Sequence, residues 1–125
     1  MAAPRNSIFL ALLLCACSLP THADSVVINN RVEGCFALSK DHLDTRGESL
    51  WVSAAVEPAQ QAADCPCKSA LFTYSAYQEQ DQQTNKLVSG NFTTIGKASI
   101  ELPVAVQKQL VFPGRPIYVD IACGH

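Results

Sequence analysis

Six cysteines in a chain of 125 residues constrain the fold more than any other feature of the sequence. Two of them lie in an apolar N-terminal run, and the other four are Cys35, Cys65, Cys67 and Cys123. An even set of cysteines in so small a domain is typical of structural disulfides formed in an oxidising compartment. We therefore expect a domain outside the cytoplasm that is stapled by two disulfides.

The spacing of Cys65 and Cys67 limits how the four can pair. Side chains at positions i and i+2 of an extended segment point the same way from Cα atoms near the upper limit for a bridge, so a Cys65–Cys67 bond would be strained. We expect one of the two to bond to Cys35 and the other to Cys123, which leaves two pairings open.

The Cys65-Pro66-Cys67 motif also has a functional interpretation, as a thiol–disulfide redox couple. Only Lys68 supplies a neighbouring cation, and the residues that follow predict a strand rather than the helix N-terminus that lowers a thiol pKa. A soft-metal site is disfavoured because, after the N-terminal run, the chain has no Met and only His42 and His125. The sequence therefore favours structural disulfides, with no metal and no cofactor.

Residues 1–23 have the pattern of a secretory signal peptide. Arg5 precedes the apolar stretch of residues 8–16, and Pro20 lies before the small-residue cleavage site Thr21-His22-Ala23. Cleavage there leaves one domain, residues 24–125, in the periplasm or secreted, with no apolar run long enough to span a membrane. Leu14-Cys15-Ala16-Cys17 offers the alternative of a lipoprotein anchored through Cys17.

Short alternating runs separated by turn residues predict strands across the domain. The predicted strands are residues 25–28, 32–39, 50–57, 68–78, 87–95, 98–106 and 117–123. Because no amphipathic helix is evident, we predict an all-β fold, an antiparallel immunoglobulin-like β-sandwich, with a small β-barrel as the alternative. Pro103 predicts an edge strand or a crossing between sheets.

Two polar stretches are predicted to lie at the surface, residues 40–48 as a loop and residues 79–86 as a solvated hairpin loop. The first combines acids, a base and cations, and is a candidate interaction loop because function concentrates in loops on a rigid scaffold. Its candidate residues are Asp41, His42, Asp44, Arg46 and Glu48. No Ser or Cys nucleophile is spaced recognisably from His42, so we assign no catalytic residue.

The aromatic residues allow two interpretations. Phe72, Tyr74 and Tyr77 are candidates for a binding stripe, but a strand face of aromatics is more often core, with Phe72 and Tyr74 on the better core face. Trp51 has the opposite parity to Leu50 and Val52, so it is either the core tryptophan of the sandwich or exposed.

Several short segments at matching spacing resemble a family of small exported bacterial proteins, domain of unknown function family 2195. They are Cys65-Pro66-Cys67-Lys68-Ser69-Ala70-Leu71, Tyr74-Ser75, Gly90-Asn91-Phe92, Leu102-Pro103-Val104 with Gln107, and Ile121-Ala122-Cys123. The resemblance covers nearly all of residues 24–125. It implies one exported bacterial domain and supplies no catalytic residue.

A non-enzymatic domain that binds an unidentified protein partner in the cell envelope is the leading functional hypothesis. The alternatives are a redox protein using Cys65 and Cys67, and an inhibitor of a secreted hydrolase that inserts the loop of residues 40–48 into a cleft. A formal net charge of −2 without a polybasic stripe excludes the usual nucleic-acid footprint.

Overall fold

The structure is a computed structural model that describes residues 25–59 and 64–124. The predicted signal peptide, its cleavage site and the alternative lipid site at Cys17 lie outside the described residues. So does most of residues 59–64, for which the sequence predicts at most one helical turn.

Within the described residues, seven strands form two separate sheets. The strands are β1 Val26–Asn30, β2 Phe36–Arg46, β3 Ser49–Pro58, β4 Leu71–Gln80, β5 Gln83–Thr93, β6 Ser99–Ala105 and β7 Ile117–Cys123. The four-stranded sheet has the order β1-β7-β4-β5, and the three-stranded sheet has the order β2-β3-β6. This confirms the predicted all-β, disulfide-stapled sandwich, and no closed barrel forms in the described part of the chain.

Consecutive strands often lie in different sheets. The chain crosses between the sheets from β1 to β2, β3 to β4, β5 to β6 and β6 to β7. As a result β4 and β7 are neighbours in one sheet and β3 and β6 in the other. One pairing departs from the antiparallel expectation: β1 runs parallel to β7, from Val26 opposite Ile117 to Asn30 opposite Ile121. The N-terminal strand therefore covers an edge of β7 that would otherwise be open.

The core lies between the sheets and follows the two-residue period of the strands. Phe36 from one sheet packs edge-on against Phe72 and Phe92 from the other, with ring centroids 4.8 and 6.1 Å away. Leu50 and Val52 are also buried, as their alternation predicts. Burying side chains of this size contributes roughly 1.5–3 kcal/mol each, which makes this cluster the main apolar contribution to stability.

The predicted loop at residues 40–48 is wrong, because most of it is strand. Strand β2 continues to Arg46, and only Gly47 and Glu48 form the turn to β3. Since β2 is an edge strand, one of its faces and its outer edge meet solvent, where charged side chains are favourable. A register shift between Ser39 and His42 interrupts the strand's alternation.

The predicted hairpin at residues 79–86 is confirmed, but its loop is shorter than predicted. Strands β4 and β5 continue to Gln80 and from Gln83, and a two-residue turn joins them. Asp81 and Gln82 both have positive φ, 51° and 66°, as the two-residue turns favoured in hairpins require. The polarity of this stretch reflects an exposed hairpin end rather than irregular structure.

Pro103 lies in β6 at the edge of the three-stranded sheet, as predicted. The β3–β6 register shifts beside it, between Leu50 and Trp51. The Tyr74 hydroxyl, from the other sheet, donates a hydrogen bond to the Pro103 carbonyl at 2.8 Å. This bond joins the two sheets where the ladder of the smaller one is irregular.

Two disulfides fasten the β3–β4 connection to the end of the sandwich. Cys35, just before β2, is bonded to Cys65, and Cys67 is bonded to Cys123 at the end of β7. This is one of the two pairings that the spacing leaves open. Each bridge lies beside a close backbone approach: a Cβ atom at Gly34 would collide with the carbonyl of Asp64, and one at Gly124 with the carbonyl of Leu71.

At the opposite end, a buried glutamine holds the β6–β7 connection. Gln78 is fully buried, and its Nε2 donates to the carbonyls of Phe112 and Arg115 at 3.1 and 3.2 Å. The Phe112 amide donates to Gln78 Oε1 at 2.9 Å. The hydrogen bonds of the Gln78 side-chain amide are thus all made to one turn, and they fix the position of that turn.

Candidate functional site

The residues of the predicted interaction loop are divided among three places. His42, Asp44 and Arg46 point outward from the three-stranded sheet, Asp41 lines a gap between β1 and β2 with Glu33, and Glu48 lies in the β2–β3 turn. They therefore do not form one cluster on one loop. The turn residue is braced, because Gln109 Nε2 donates to Glu48 Oε2 at 2.9 Å.

The outward residues of the three-stranded sheet form what we call the charged face, centred on Arg46. Its guanidinium donates to Glu101 at 2.6 Å and to Asp44 at 3.3 Å, and lies 4.6 Å from the centroid of the Trp51 ring. The hydrogen bond to Glu101 is the main cause that raises the pKa of Arg46. Trp51 is half-buried on this outer face and is not the core tryptophan.

His42 lies in a shallow recess beside this network. The recess has a volume of about 390 Å³ and is lined in part by Lys40, Ser53, Ser99 and Glu101. Arg46, Asp44 and Glu101 neutralise one another as ion pairs. Among the described residues, no hydrogen bond links His42 to a nucleophile. The arrangement is that of a solvated sheet face braced by ion pairs, which contribute little individually at a surface.

The cysteine motif forms no couple of its own. Cys65 and Cys67 are each bonded to a cysteine outside the motif, at the start of β2 and at the end of β7. Both are half-buried, and they lie in a connection without regular secondary structure rather than at a helix N-terminus. Their arrangement is that of two adjacent structural disulfides.

The outward residues of the four-stranded sheet form a second surface, which we call the tyrosine face. Tyr77 of β4 stands directly opposite Tyr118 of β7, and the two rings stack with centroids 5.5 Å apart. Val27 of β1 and Lys86 of β5 extend this row across all four strands. Small hydrogen-bonding side chains fill the rows beside it: Asn29, Thr73, Ser75, Ser89 and Asn91.

Asp120 organises the polar part of this face. Its carboxylate accepts a hydrogen bond from Asn29 Nδ2 at 2.8 Å and one from the Tyr77 hydroxyl at 3.3 Å, and Arg31 lies 3.7 Å away. Burial is the first cause that raises the pKa of Tyr77, and the nearby Asp120 carboxylate is the second. The Tyr77 hydroxyl therefore stays protonated, as a neutral hydrogen-bond donor, at pH values below the ordinary tyrosine pKa.

The predicted aromatic stripe divides accordingly. Phe72 and Tyr74 are core residues, as predicted, whereas Tyr77 faces outward and partners Tyr118. Strand parity assigns Tyr77 and Tyr118 to faces of their own strands, but it does not show that β4 and β7 are neighbours. In the sequence, only the expected bond from Cys65 or Cys67, shortly before β4, to Cys123, at the end of β7, signals that these strands lie close together.

Comparison with known proteins gives one result. The model of a family described as "Uncharacterized protein conserved in bacteria (DUF2195)" matches residues 9–125. No curated protein and no solved structure matches the chain. Within residues 25–59 and 64–124, no helix is long and apolar enough to cross a membrane.

Proposed function

This chain belongs to the DUF2195 family of uncharacterized proteins conserved in bacteria, and we propose that it is an exported, non-enzymatic domain that binds a protein partner in the cell envelope. The tyrosine face carries this proposal. It is a four-stranded surface in which a pair of tyrosines is surrounded by serine, threonine and asparagine side chains.

That composition suits recognition for physical reasons. Tyrosine supplies a large, rigid and amphipathic contact area at low cost in conformational entropy, and small polar side chains adapt their hydrogen bonds to a partner. Tyrosine is also enriched among the residues that dominate binding energy at interfaces. The Asp120 hydrogen bonds hold Tyr77 in place before a partner arrives, which reduces the entropy lost on binding.

Export is supported by the leader pattern of residues 1–23 and by the two disulfides, which persist in oxidising compartments. The intact mass of the protein purified from the bacterial envelope tests this part. A mature chain beginning at Asp24 is the expected result, and a diacylated Cys17 would instead indicate a lipoprotein. A full-length chain recovered from the cytoplasm with all six cysteines as free thiols would contradict export.

Site-specific photo-crosslinking in living cells tests the binding face. A photoreactive amino acid is placed at Ser89, on the tyrosine face, or at Ser99, on the charged face; both serines are exposed and lie on edge strands. We expect a discrete crosslinked band from position 89 and none from position 99. The double substitution Tyr77→Ser and Tyr118→Ser is expected to remove the band.

Equal crosslinking from both positions, or a band at position 89 that survives the double substitution, would show that the tyrosine face is not the binding surface. A purified protein that retains no partner but turns over a substrate would overturn the non-enzymatic proposal altogether. No observation favours the inhibitor hypothesis in its predicted form, because residues 40–46 are strand and not an insertable loop.

A further inference from the structure

The two disulfides lie close enough to react with each other. The Sγ atoms of Cys35, Cys65 and Cys67 all lie within 4.8 Å of one another, although Cys67 is bonded to Cys123 and not to either of the other two. A sulfur released from the first bridge is therefore already beside a sulfur of the second. Such proximity makes an exchange step effectively unimolecular.

The same three cysteines line a groove of about 460 Å³ at the end of the sandwich. Its described lining is mainly apolar and includes Pro58, Ala70, Phe72 and Ile95, with the cation Lys68 beside Cys67. Cys123 is not among these lining residues. A thiol that enters the groove meets the Cys35–Cys65 bridge and Cys67, which is the cysteine bonded to Cys123.

We propose that this groove is a thiol–disulfide exchange site for small thiols of the glutathione class, and that it passes the exchange on to Cys123. The thiolate attacks Sγ of Cys65, so that the Cys35–Cys65 bond breaks, a mixed disulfide forms on Cys65, and Cys35 leaves as a thiolate. The Cys35 thiolate attacks Sγ of Cys67. The Cys67–Cys123 bond breaks, Cys35–Cys67 forms, and Cys123 leaves as a thiolate that takes a proton from water.

One thiol is consumed and one is produced, so the exchange needs no oxidant or reductant. The chain still holds one internal bridge between the β3–β4 connection and the start of β2. The end of β7 carries a free thiol. This activity is distinct from a Cys65–Cys67 couple and goes beyond the proposed binding function.

The route through Cys35 is favoured over the one through Cys65. If the thiol attacks Cys35 instead, the released Cys65 thiolate must form a bond to Cys67, only two residues away along the chain. That geometry is near the limit for a disulfide and is strained. The two cysteines of the first bridge are therefore not equivalent, and this asymmetry provides a test.

Two matched variants isolate the second step. Cys65→Ser leaves Cys35 as a free thiol beside an intact Cys67–Cys123 bridge, and Cys35→Ser leaves Cys65 in the same situation. Each purified protein is held at pH 8, alkylated, digested and mapped by mass spectrometry. We expect alkylated Cys123 and a Cys35–Cys67 bridge in C65S, at a level at least about tenfold above alkylated Cys123 in C35S, because strain disfavours the Cys65–Cys67 product.

An intact Cys67–Cys123 bridge with alkylated Cys35 in folded C65S would overturn the proposal, as would equal exchange in both variants. If C65S does not fold, as judged by its circular dichroism, the wild-type protein treated with glutathione decides. Glutathione on Cys65 together with alkylated Cys123 in the same molecules supports the relay. Glutathione on Cys65 with alkylated Cys35 and an unbroken second bridge contradicts it.

Discussion

Gln78 is the buried polar side chain on which one end of the sandwich depends. Its amide makes hydrogen bonds to Phe112 and Arg115, and replacing it with leucine removes these part-buried bonds and leaves the backbone groups of that turn without this partner. An unsatisfied buried group costs about 1–3 kcal/mol. We predict that Gln78→Leu lowers the free energy of unfolding by about 3 kcal/mol, measured by urea denaturation.

The matched control is Gln83→Leu at the exposed start of β5, which should change stability by no more than about 0.5 kcal/mol. Equal effects of the two substitutions would show that Gln78 stabilises through its size alone. Sequence alternation assigns Gln78 to the same strand face as Phe72 and Tyr74, but its polar character conceals that it is core. Only the position of the distant β6–β7 turn explains why a glutamine belongs there.

The tyrosine hydroxyls make the fold sensitive to alkaline pH. The pKa of Tyr77 is raised above its ordinary value of 10.0 by burial and by Asp120, and the pKa of Tyr74 is raised by burial. A raised pKa means that the folded chain favours the neutral phenol. This stabilisation is complete below about pH 10 and is lost as the pH rises through the unfolded and then the folded pKa.

We therefore predict a steeper loss of stability between pH 9 and pH 11 in the wild-type protein than in Tyr77→Phe or Tyr74→Phe. Denaturation curves at each pH measure this difference. Absorbance titration at 295 nm should show that each variant lacks one ionisation that occurs above the ordinary tyrosine range. Parallel stability curves for wild type and both variants would contradict the prediction.

At the scale of the elements, the sequence predicts strands well where one face is regularly buried and poorly where burial is partial or absent. Strands β3 and β7 alternate between buried and outward residues, and both are predicted nearly to their ends. Strand β2 and the β4–β5 hairpin end are polar because they lie at a sheet edge and at a projecting turn. The polar side chains there indicate exposure to solvent. Because an edge strand and a loop are both exposed, polarity does not distinguish between them.

The close backbone approaches at Gly34 and Gly124 position the connection that carries two of the cysteines. A methyl group at either site would collide with a carbonyl of the β3–β4 connection or of β4, so the backbones would have to separate. We predict that Gly34→Ala and Gly124→Ala each lower the free energy of unfolding by more than 2 kcal/mol, about the cost of forcing extra atoms into a packed site. Thermal or urea denaturation of the oxidised proteins measures it.

Gly96→Ala is the comparison, because Gly96 has a positive φ of 67° but nothing within 4 Å of an added Cβ. Its cost should be about 1 kcal/mol, from backbone conformation alone. If all three substitutions cost the same, the close approaches contribute nothing beyond ordinary glycine conformational preference. Slower disulfide formation during refolding of the Gly34 and Gly124 variants would give independent support.

At the scale of the whole molecule, the cysteines supply the long-range information that strand patterns lack. Pairing Cys67 with Cys123 places β4 beside β7, and pairing Cys35 with Cys65 holds the start of β2 against the crossing from β3. The parallel position of β1 has no such signal. Its five residues predict a strand, but a short alternating run does not specify which edge it joins or in which direction.

The two bridges enclose consecutive parts of the chain that do not overlap, with sequence separations of 30 and 56. In the loop-entropy account each bridge therefore restricts the unfolded chain independently, by about 3.5 kcal/mol for the shorter loop and about 4 kcal/mol for the longer. We predict that Cys35→Ala/Cys65→Ala destabilises the domain slightly less than Cys67→Ala/Cys123→Ala, and that the effects add in the quadruple variant. Since small domains have about 5–15 kcal/mol of stability in total, the quadruple variant should be largely unfolded at 37 °C. Urea denaturation of the three variants measures this order, and a quadruple variant as stable as either double variant would show that the bridges are redundant.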